Sequence, residues 1–239
     1  MALVFDIETV GESWESFDET TVAALSQWVE RASRNDEERE RLLLQLKDGL
    51  GFSPATGAIV SIALFDTKRK EGVVYVDGGE THDDWREGSF TYRLRSEREM
   101  LEEFWEGLAG YAVIATFNGR SFDMPFLIHR SIAHGLQVDA SFMRQRYLSR
   151  QTERYHVDLL DELTFYGAMA RKPNLHLFCR LYGIESPKSD ISGHDVADLY
   201  AAGEYERIAR YNARDVEATA ALYDIWKKFL APEDWLNID

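Results

Sequence analysis

Apolar and polar positions along the chain fall into blocks whose periods separate strands from helices. Residues 2–7 (ALVFDI) open apolar and then meet Asp6 and Glu8, which predicts a short buried strand ending on two acids. Residues 11–51 are charged and helix-like, and their tract 35–47 (NDEERERLLLQLK) mixes signs around Leu42, Leu43, Leu44 and Leu46. That pattern fits a solvated helix with one packed face. A helical flap over a site, or an oligomer contact, is the sharper alternative. Residues 57–66 (GAIVSIALFD) and 72–77 (GVVYVD) are β-branched runs joined by the polar TKRKE, the signature of an antiparallel hairpin.

Further along, Ser96 and Glu99 have capping-box spacing ahead of Leu101, Phe104, Trp105 and Leu108 at helical intervals. Residues 111–117 (YAVIATF) form a continuous apolar run, predicting a central strand covered on both faces. Helical spacing returns over 122–133, residues 156–160 offer one more short strand, and 163–230 is mostly helical. Three strands, a helix and then strand–helix alternation give an α/β class with a mixed sheet. With no repeats, low-complexity tract or Pro/Gly/Ser-rich linker, residues 1–239 read as a single domain with a charged helical insertion at about 11–51.

Composition narrows the class. At 45% hydrophobic and 13% aromatic the chain can bury a sizeable core, so disorder is excluded. The single cysteine, Cys179, rules out an internal disulfide, and its apolar helical surroundings favour an inert core thiol over a reactive one. The opening MALVFDIET meets acids before a signal-peptide apolar region can form, and no stretch approaches the roughly 20 apolar residues of a membrane span. A cytoplasmic location, with no membrane partner, is expected. The net charge of −15 argues against an extended grip on duplex nucleic acid, which relies on many Lys and Arg contacts. A local anionic site that recruits divalent cations remains compatible with it.

Three segments carry candidate chemistry. Strand alternation puts Asp6 and Glu8 on one face, where two acids are costly unless they share a cation. Alone, D-x-E recurs by chance in an acidic chain. The segment 118–123 (NGRSFD) follows the apolar strand, where ligands of α/β sheets usually bind. A mere turn and helix cap, with Asp123 at a helix N-terminus, is the bland reading. Tyr211 and Asp215 stand at i and i+4 on a stripe shared with Ile208, Ala218, Leu222, Trp226 and Phe229. A salt bridge to an arginine is the ordinary explanation for an acid there.

Taken together, F-D-I-E-T at 5–9, N-G-R-S-F-D at 118–123 and Y-x-x-x-D at 211–215 resemble the DEDD exonucleases in their tyrosine-bearing branch, of the DnaQ-like, ribonuclease H-like superfamily. Residues 156–160 (HVDLL), 173–178 (PNLHLF) and 193–200 (GHDVADLY) extend the likeness. They look like the exonuclease domain of family B DNA polymerases, and most like stand-alone predicted exonucleases related to it. The likeness runs from residue 3 to about 222 and leaves 11–51 unexplained.

The resemblance implies a ribonuclease H-like mixed five-stranded sheet flanked by helices, and 3′–5′ hydrolysis of single-stranded nucleic acid, DNA more than RNA. It implies two divalent cations held by Asp6, Glu8, Asp123 and Asp215, with nucleoside 5′-monophosphates as products. Such a pair activates a water and stabilises the leaving oxyanion, and an all-oxygen donor set favours Mg²⁺ or Mn²⁺. By the same resemblance Asp6 bridges both ions, Glu8 and Asp215 complete the site of the attacking water, and Asp123 holds the second ion. Tyr211 orients the water, since an unperturbed phenol near pKa 10 is a poor base at neutral pH. The sister branch places a histidine where this chain has Arg210, which sharpens the tyrosine assignment. Thr9, Asn118 and Phe122 are assigned to the 3′-terminal nucleotide.

Some features stay open. Residues 144–155 (RQRYLSRQTERY) interleave arginines with Tyr147 and Tyr155, as a single-strand path does, or form a solvated helix face. Arg171, Lys172 and Lys188 are further candidates for substrate contact. His176 and His194 read as structural, and the six tryptophans as packing residues. An RNA or short-oligonucleotide exonuclease, a hydrolase of small phosphodiesters, and an inactive nucleic-acid-binding module are the competing functions. The last predicts a broken motif, and none is broken. Oligomeric state is left open.

Overall fold

The computed structural model describes residues 1–78, 83–185, 193–233 and 235. In chain order the elements are β1 (Ala2–Gly11), α1 (Glu19–Ala32), α2 (Asp36–Asp48), β2 (Gly57–Asp66), β3 (Glu71–Val76), β4 (Trp85–Glu87) and β5 (Phe90–Leu94). There follow α3 (Glu97–Leu108), β6 (Val113–Thr116), α4 (Asp123–Ala133), β7 (Tyr155–Asp158), α5 (Leu159–Leu163), α6 (Leu175–Tyr182), α7 (Val196–Ala201) and α8 (Tyr205–Phe229). Seven strands form one mixed sheet in the order β4-β5-β3-β2-β1-β6-β7. β1 pairs antiparallel with β2 and parallel with β6.

Period-two alternation along β1 divides the core into two layers. Leu3, Phe5 and Ile7 point towards α3 and α4, where they pack with Met100, Phe104 and Leu127. Ala2 and Val4 point to the other face, against α8. Ala209, Ala213, Val216, Ala220, Tyr223 and Trp226 recur every three or four residues and lay α8 on the sheet, with alanines at its N-terminal half permitting close approach. Asp6 and Glu8 continue the row of Ala2 and Val4, so they stand on the α8 side. In β2 an extra residue, Val60, falls between the partners of Glu8 and Thr9, and it packs against Ile208 and Tyr211.

The expectation of five strands is corrected to seven. The hairpin of β2 and β3, β1, and two strands near 111–117 and 156–160 are present, but β4 and β5 add a second hairpin at the sheet edge. Gly88, at φ +59°, makes its turn. Phe90 and Tyr92 then alternate into the core beside β3. The run 111–117 contributes only a four-residue strand, buried on both faces but next to the edge strand β7 rather than central. Segment 156–160 is strand only to Asp158, where α5 begins. The capping box forms as the sequence predicts, with Ser96 and Glu99 bonded reciprocally at the start of α3.

Residues 11–51 fold into α1 and α2, capped by Asp18 and Asn35. Their C-terminal end lies flat on the end of β1. A Cβ on Gly11 would come within 2.8 Å of Leu50 Cβ, and one on Gly57 within 2.8 Å of the Val10 carbonyl. Glycine at these positions permits the approach, and the Thr56 hydroxyl locks it by donating to the Leu50 carbonyl (2.7 Å).

Candidate active site

The C-terminal end of β1, the loop after β6 and the middle of α8 meet around one cavity. Asp6 and Glu8 arrive from β1 and Asp215 from α8, and one oxygen of each lies within 4.8 Å of the other two. Asp123, the first residue of α4, is 3% exposed and accepts a hydrogen bond from the Ile7 amide (3.2 Å), between the two β1 acids. The sequence-predicted acids are therefore brought together, three as a tight group and the fourth tied to the backbone that carries two of them.

Their protonation reflects the crowding. Burial pushes Asp6 well above the usual carboxylate range, and the charges of Asp123, Asp215 and Glu8 push it further. Glu8 moves the same way, from burial first and then Asp215 and Asp123. Burial raises Asp123 to about 7, Asp158 adding to the rise while the amides of Asp123 and Ile7 oppose it. Tyr211 is 6% exposed. Burial first, and then the Asp215 and Glu8 charges, keep its hydroxyl protonated far above neutral pH.

The cavity is about 420 Å³ and open to solvent. Asp6, Glu8, Asp123 and Asp215 line it with Asp48 and Asp198, while the described lining residues include no lysine or arginine. Such a donor set, all hard oxygen and mutually repelling, suits divalent cations. Among the described lining residues, every charged side chain that a phosphodiester meets in this cavity is negative, so cations must accompany it.

Thr9, Asn118 and Phe122 also line the cavity. The Thr9 hydroxyl donates to the Gly51 carbonyl (2.7 Å), fastening residues 11–51 to β1. Asn118 holds a left-handed backbone at φ +67°, sparsely populated for a non-glycine residue. Asp158, which the sequence reading passes over, explains why it can. One carboxylate accepts from the amides of Asn118 (3.0 Å) and Arg120 (2.9 Å) while capping α5 through Leu160 (3.0 Å). Phe52, also overlooked, stands across the cavity from Phe122, their ring centroids 6.4 Å apart in an edge-to-face pair. Cys179 is buried, and burial with the nearby Asp215 charge raises its thiol to about 11, as an inert thiol requires.

The remaining candidates lie elsewhere. Residues 144–155 form one short 3₁₀ turn (Leu148–Arg150) and a strand start rather than a helix. Arg154 donates to the Ala109 and Tyr111 carbonyls before β6, at the opposite end of that strand from the Asn118 loop. Arg146 is committed to Asp161 by two hydrogen bonds. Arg171 and Lys172 are exposed and do not line the cavity. Lys188 lies outside the described residues, and Arg210 pairs with Glu87 and Glu206. Phe229 ends the α8 stripe exposed. No described helix is long and apolar enough to cross a membrane.

Known proteins share this architecture. A family described as "predicted 3'-5' exonuclease related to the exonuclease domain of PolB" matches residues 56–233, a span holding Asp123, Tyr211 and Asp215 but starting after Asp6 and Glu8. A DNA polymerase of Pyrococcus glycovorans is 27% identical over 201 residues, which are 77% of this chain and 24% of the polymerase. An uncharacterized protein of Methanocaldococcus jannaschii is 32% identical over 140 residues, 54% of this chain and 74% of that protein. The solved family B DNA polymerase from Pyrobaculum calidifontis shares the fold, with TM-score 0.61 and 19% identity over 96% of this chain and 25% of the polymerase. This chain thus spans about a quarter of the polymerases it matches. With the match covering residues 56–233, the chain belongs to the family of predicted 3′–5′ exonucleases related to the exonuclease domain of family B DNA polymerases.

Proposed function

We propose that this protein hydrolyses single-stranded DNA one nucleotide at a time from its 3′ end, using two divalent cations and releasing nucleoside 5′-monophosphates. The observation that carries the reading is the convergence of Asp6, Glu8 and Asp215 within 4.8 Å, with Tyr211 one helical turn before the last of them. Asp6, Glu8, Asp123 and Asp215 would hold Mg²⁺ or Mn²⁺, which when bound supplies activation of water and neutralisation of the leaving oxygen. DNA is favoured because relatives of known kind are DNA polymerases.

The chain's own groups supply position. Tyr211 keeps its proton at neutral pH beside the Asp215 charge, and its oxygen can accept a hydrogen bond and orient the attacking water. It does not take the proton from that water. Asn118, held in its unusual conformation by Asp158, presents its side chain at the cavity wall for the terminal nucleotide. Thr9 shapes that wall through Gly51.

The test is a panel of 5′-labelled DNA and RNA oligonucleotides incubated with Mn²⁺, with the released material identified by chromatography. Single-nucleotide shortening of DNA with 5′-monophosphate products is the expected outcome. Faster loss of RNA would move the substrate assignment to RNA, and internal cuts would overturn the exonuclease reading.

A further inference from the structure

Three arginines gather around a second cavity. Arg144, Arg150 and Arg154 line a space of about 200 Å³ together with Ser141, Gln151 and Glu153. It shares no described lining residue with the cavity of the acids. In a chain with 42 acidic and 27 basic side chains, an arginine readily finds a carboxylate. Arg93, Arg95, Arg130, Arg146 and Arg210 all do. Arg144, Arg150 and Arg154 form no ion pair among the described residues. Asp139 feels the Arg154 and Arg144 charges at longer range, but it lies outside the cavity lining and its carboxylate accepts the Ser141 amide (2.9 Å).

The wall is held from behind. Gln151 is 7% exposed, and its side-chain amide donates to the Gln145 (3.0 Å) and His156 (3.2 Å) carbonyls. Its side-chain oxygen accepts from the His156 amide (2.6 Å), which ties the loop to β7. The Arg154 guanidinium donates to the Tyr111 and Ala109 carbonyls and lies 5.3 Å from the centroid of the Phe142 ring. Arg150 lies over Tyr147, 5.7 Å from its centroid. A guanidinium carries more N–H donors than these contacts use, so others remain for a ligand. Between Arg150 and Arg154 the chain turns through Glu153, whose left-handed backbone (φ +62°) is sparsely populated for a non-glycine residue.

We propose that this cavity binds a doubly charged phosphate group, either free phosphate or the monoester of a nucleotide. Its described lining charges are three arginines against one glutamate. That excess matches the roughly −1.5 to −2 charge of a phosphate monoester at pH 7. The planar guanidinium fork suits paired phosphate oxygens, and each such bond is charge-assisted. Like charges gathered at one cavity repel, and a shared anion removes that cost. A phosphodiester has one charge and fewer free oxygens, so it fits less well. The site is independent of the carboxylates. Arg154 is bonded ahead of β6, whereas Asn118 and Asp123 follow that strand.

Isothermal titration calorimetry in metal-free buffer tests the site, because without cations the cavity of acids repels a phosphate. The wild type is compared with a double variant carrying Arg144→Gln and Arg150→Gln. Both residues are exposed, and Arg154 is left in place because it anchors the loop. The titrants are inorganic phosphate, deoxyadenosine monophosphate, and a thymidine dinucleotide with an internal phosphodiester but no terminal phosphate. One-to-one binding of phosphate or the mononucleotide is expected, weakened about 10-fold in the double variant. The dinucleotide should bind more weakly than the mononucleotide. A mononucleotide tighter than phosphate would assign the site to nucleotides, and equal affinities would assign it to the phosphate group alone. No binding by the wild type, or equal affinity in the wild type and a folded double variant, would overturn the site. A dinucleotide that binds as tightly as the mononucleotide would overturn it too.

Discussion

Tyr211 and Asp215 stand one helical turn apart on α8, on the side where β1 delivers Asp6 and Glu8, and the Asp215 charge helps keep the tyrosine hydroxyl protonated. Burial fixes the direction of the ring, and the protonated oxygen keeps lone pairs able to accept a hydrogen bond. Tyr211→Phe should therefore lower kcat about 100-fold, the scale of a misplaced reactant, with little change in KM. Steady-state kinetics on a labelled oligonucleotide measures both. A loss as complete as that of Asp215→Ala would show that the tyrosine does more than position.

The crowded acids make a prediction about stability. Asp123 has a folded pKa of about 7 against an ordinary aspartate value of about 3.9. A carboxyl whose pKa is raised on folding contributes stability below its unfolded value and loses it as pH rises through the folded value. Asp6 and Glu8 are raised as well. In EDTA, Asp123→Asn should gain thermal stability over the wild type between pH 5 and pH 8. Mn²⁺ should reverse the order at pH 8, since an ion at 100 times its Kd stabilises by about 2.7 kcal/mol. A Tm difference that ignores both pH and Mn²⁺ would contradict this.

Asp158 holds the Asn118 turn and the start of α5 with one carboxylate. Asp158→Ala removes all these bonds and should cost about 2–4 kcal/mol, as hydrogen bonds to a charged group contribute roughly 1.5–3 kcal/mol each and are not additive. Urea denaturation measures this. Activity should fall too, since Asp158 fixes the amide side of the Asn118 turn, while the Asn118 carbonyl accepts from the amides of Ser121 (3.1 Å) and Phe122 (3.2 Å). An unchanged midpoint would show that the turn is fixed by the rest of the loop.

Much of this arrangement is legible in the sequence where local periodicity and burial agree. The alternation from Ala2 to Glu8 places two acids on one face, and the i, i+4 spacing of Tyr211 and Asp215 places them together. Ser96 and Glu99 announce the start of α3. What was missed depends on contacts distant in sequence. The hairpin of β4 and β5 is short, and its parallel pairing with β3 is invisible to periodicity, although Gly88 between Glu87 and Ser89 marks the turn. Asp158 sits in a recognisable strand-to-helix junction, but its bonds to Asn118 and Arg120 span about forty residues. The helical pattern of 11–51 suggests a packed face and says nothing of how its end docks. That depends on backbone approach at Gly11, Gly51 and Gly57, which leaves no hydrophobic signature.

The central claim is that the clustered carboxylates perform 3′–5′ hydrolysis with divalent cations, and one gel tests it most directly. Single-stranded DNA labelled at its 5′ end is incubated with wild type or Asp215→Ala, in Mn²⁺ or EDTA, with the fold of both proteins checked by circular dichroism. The account predicts a ladder descending from the 3′ end only for the wild type in Mn²⁺. An equal ladder from folded Asp215→Ala, or from the wild type in EDTA, would contradict it.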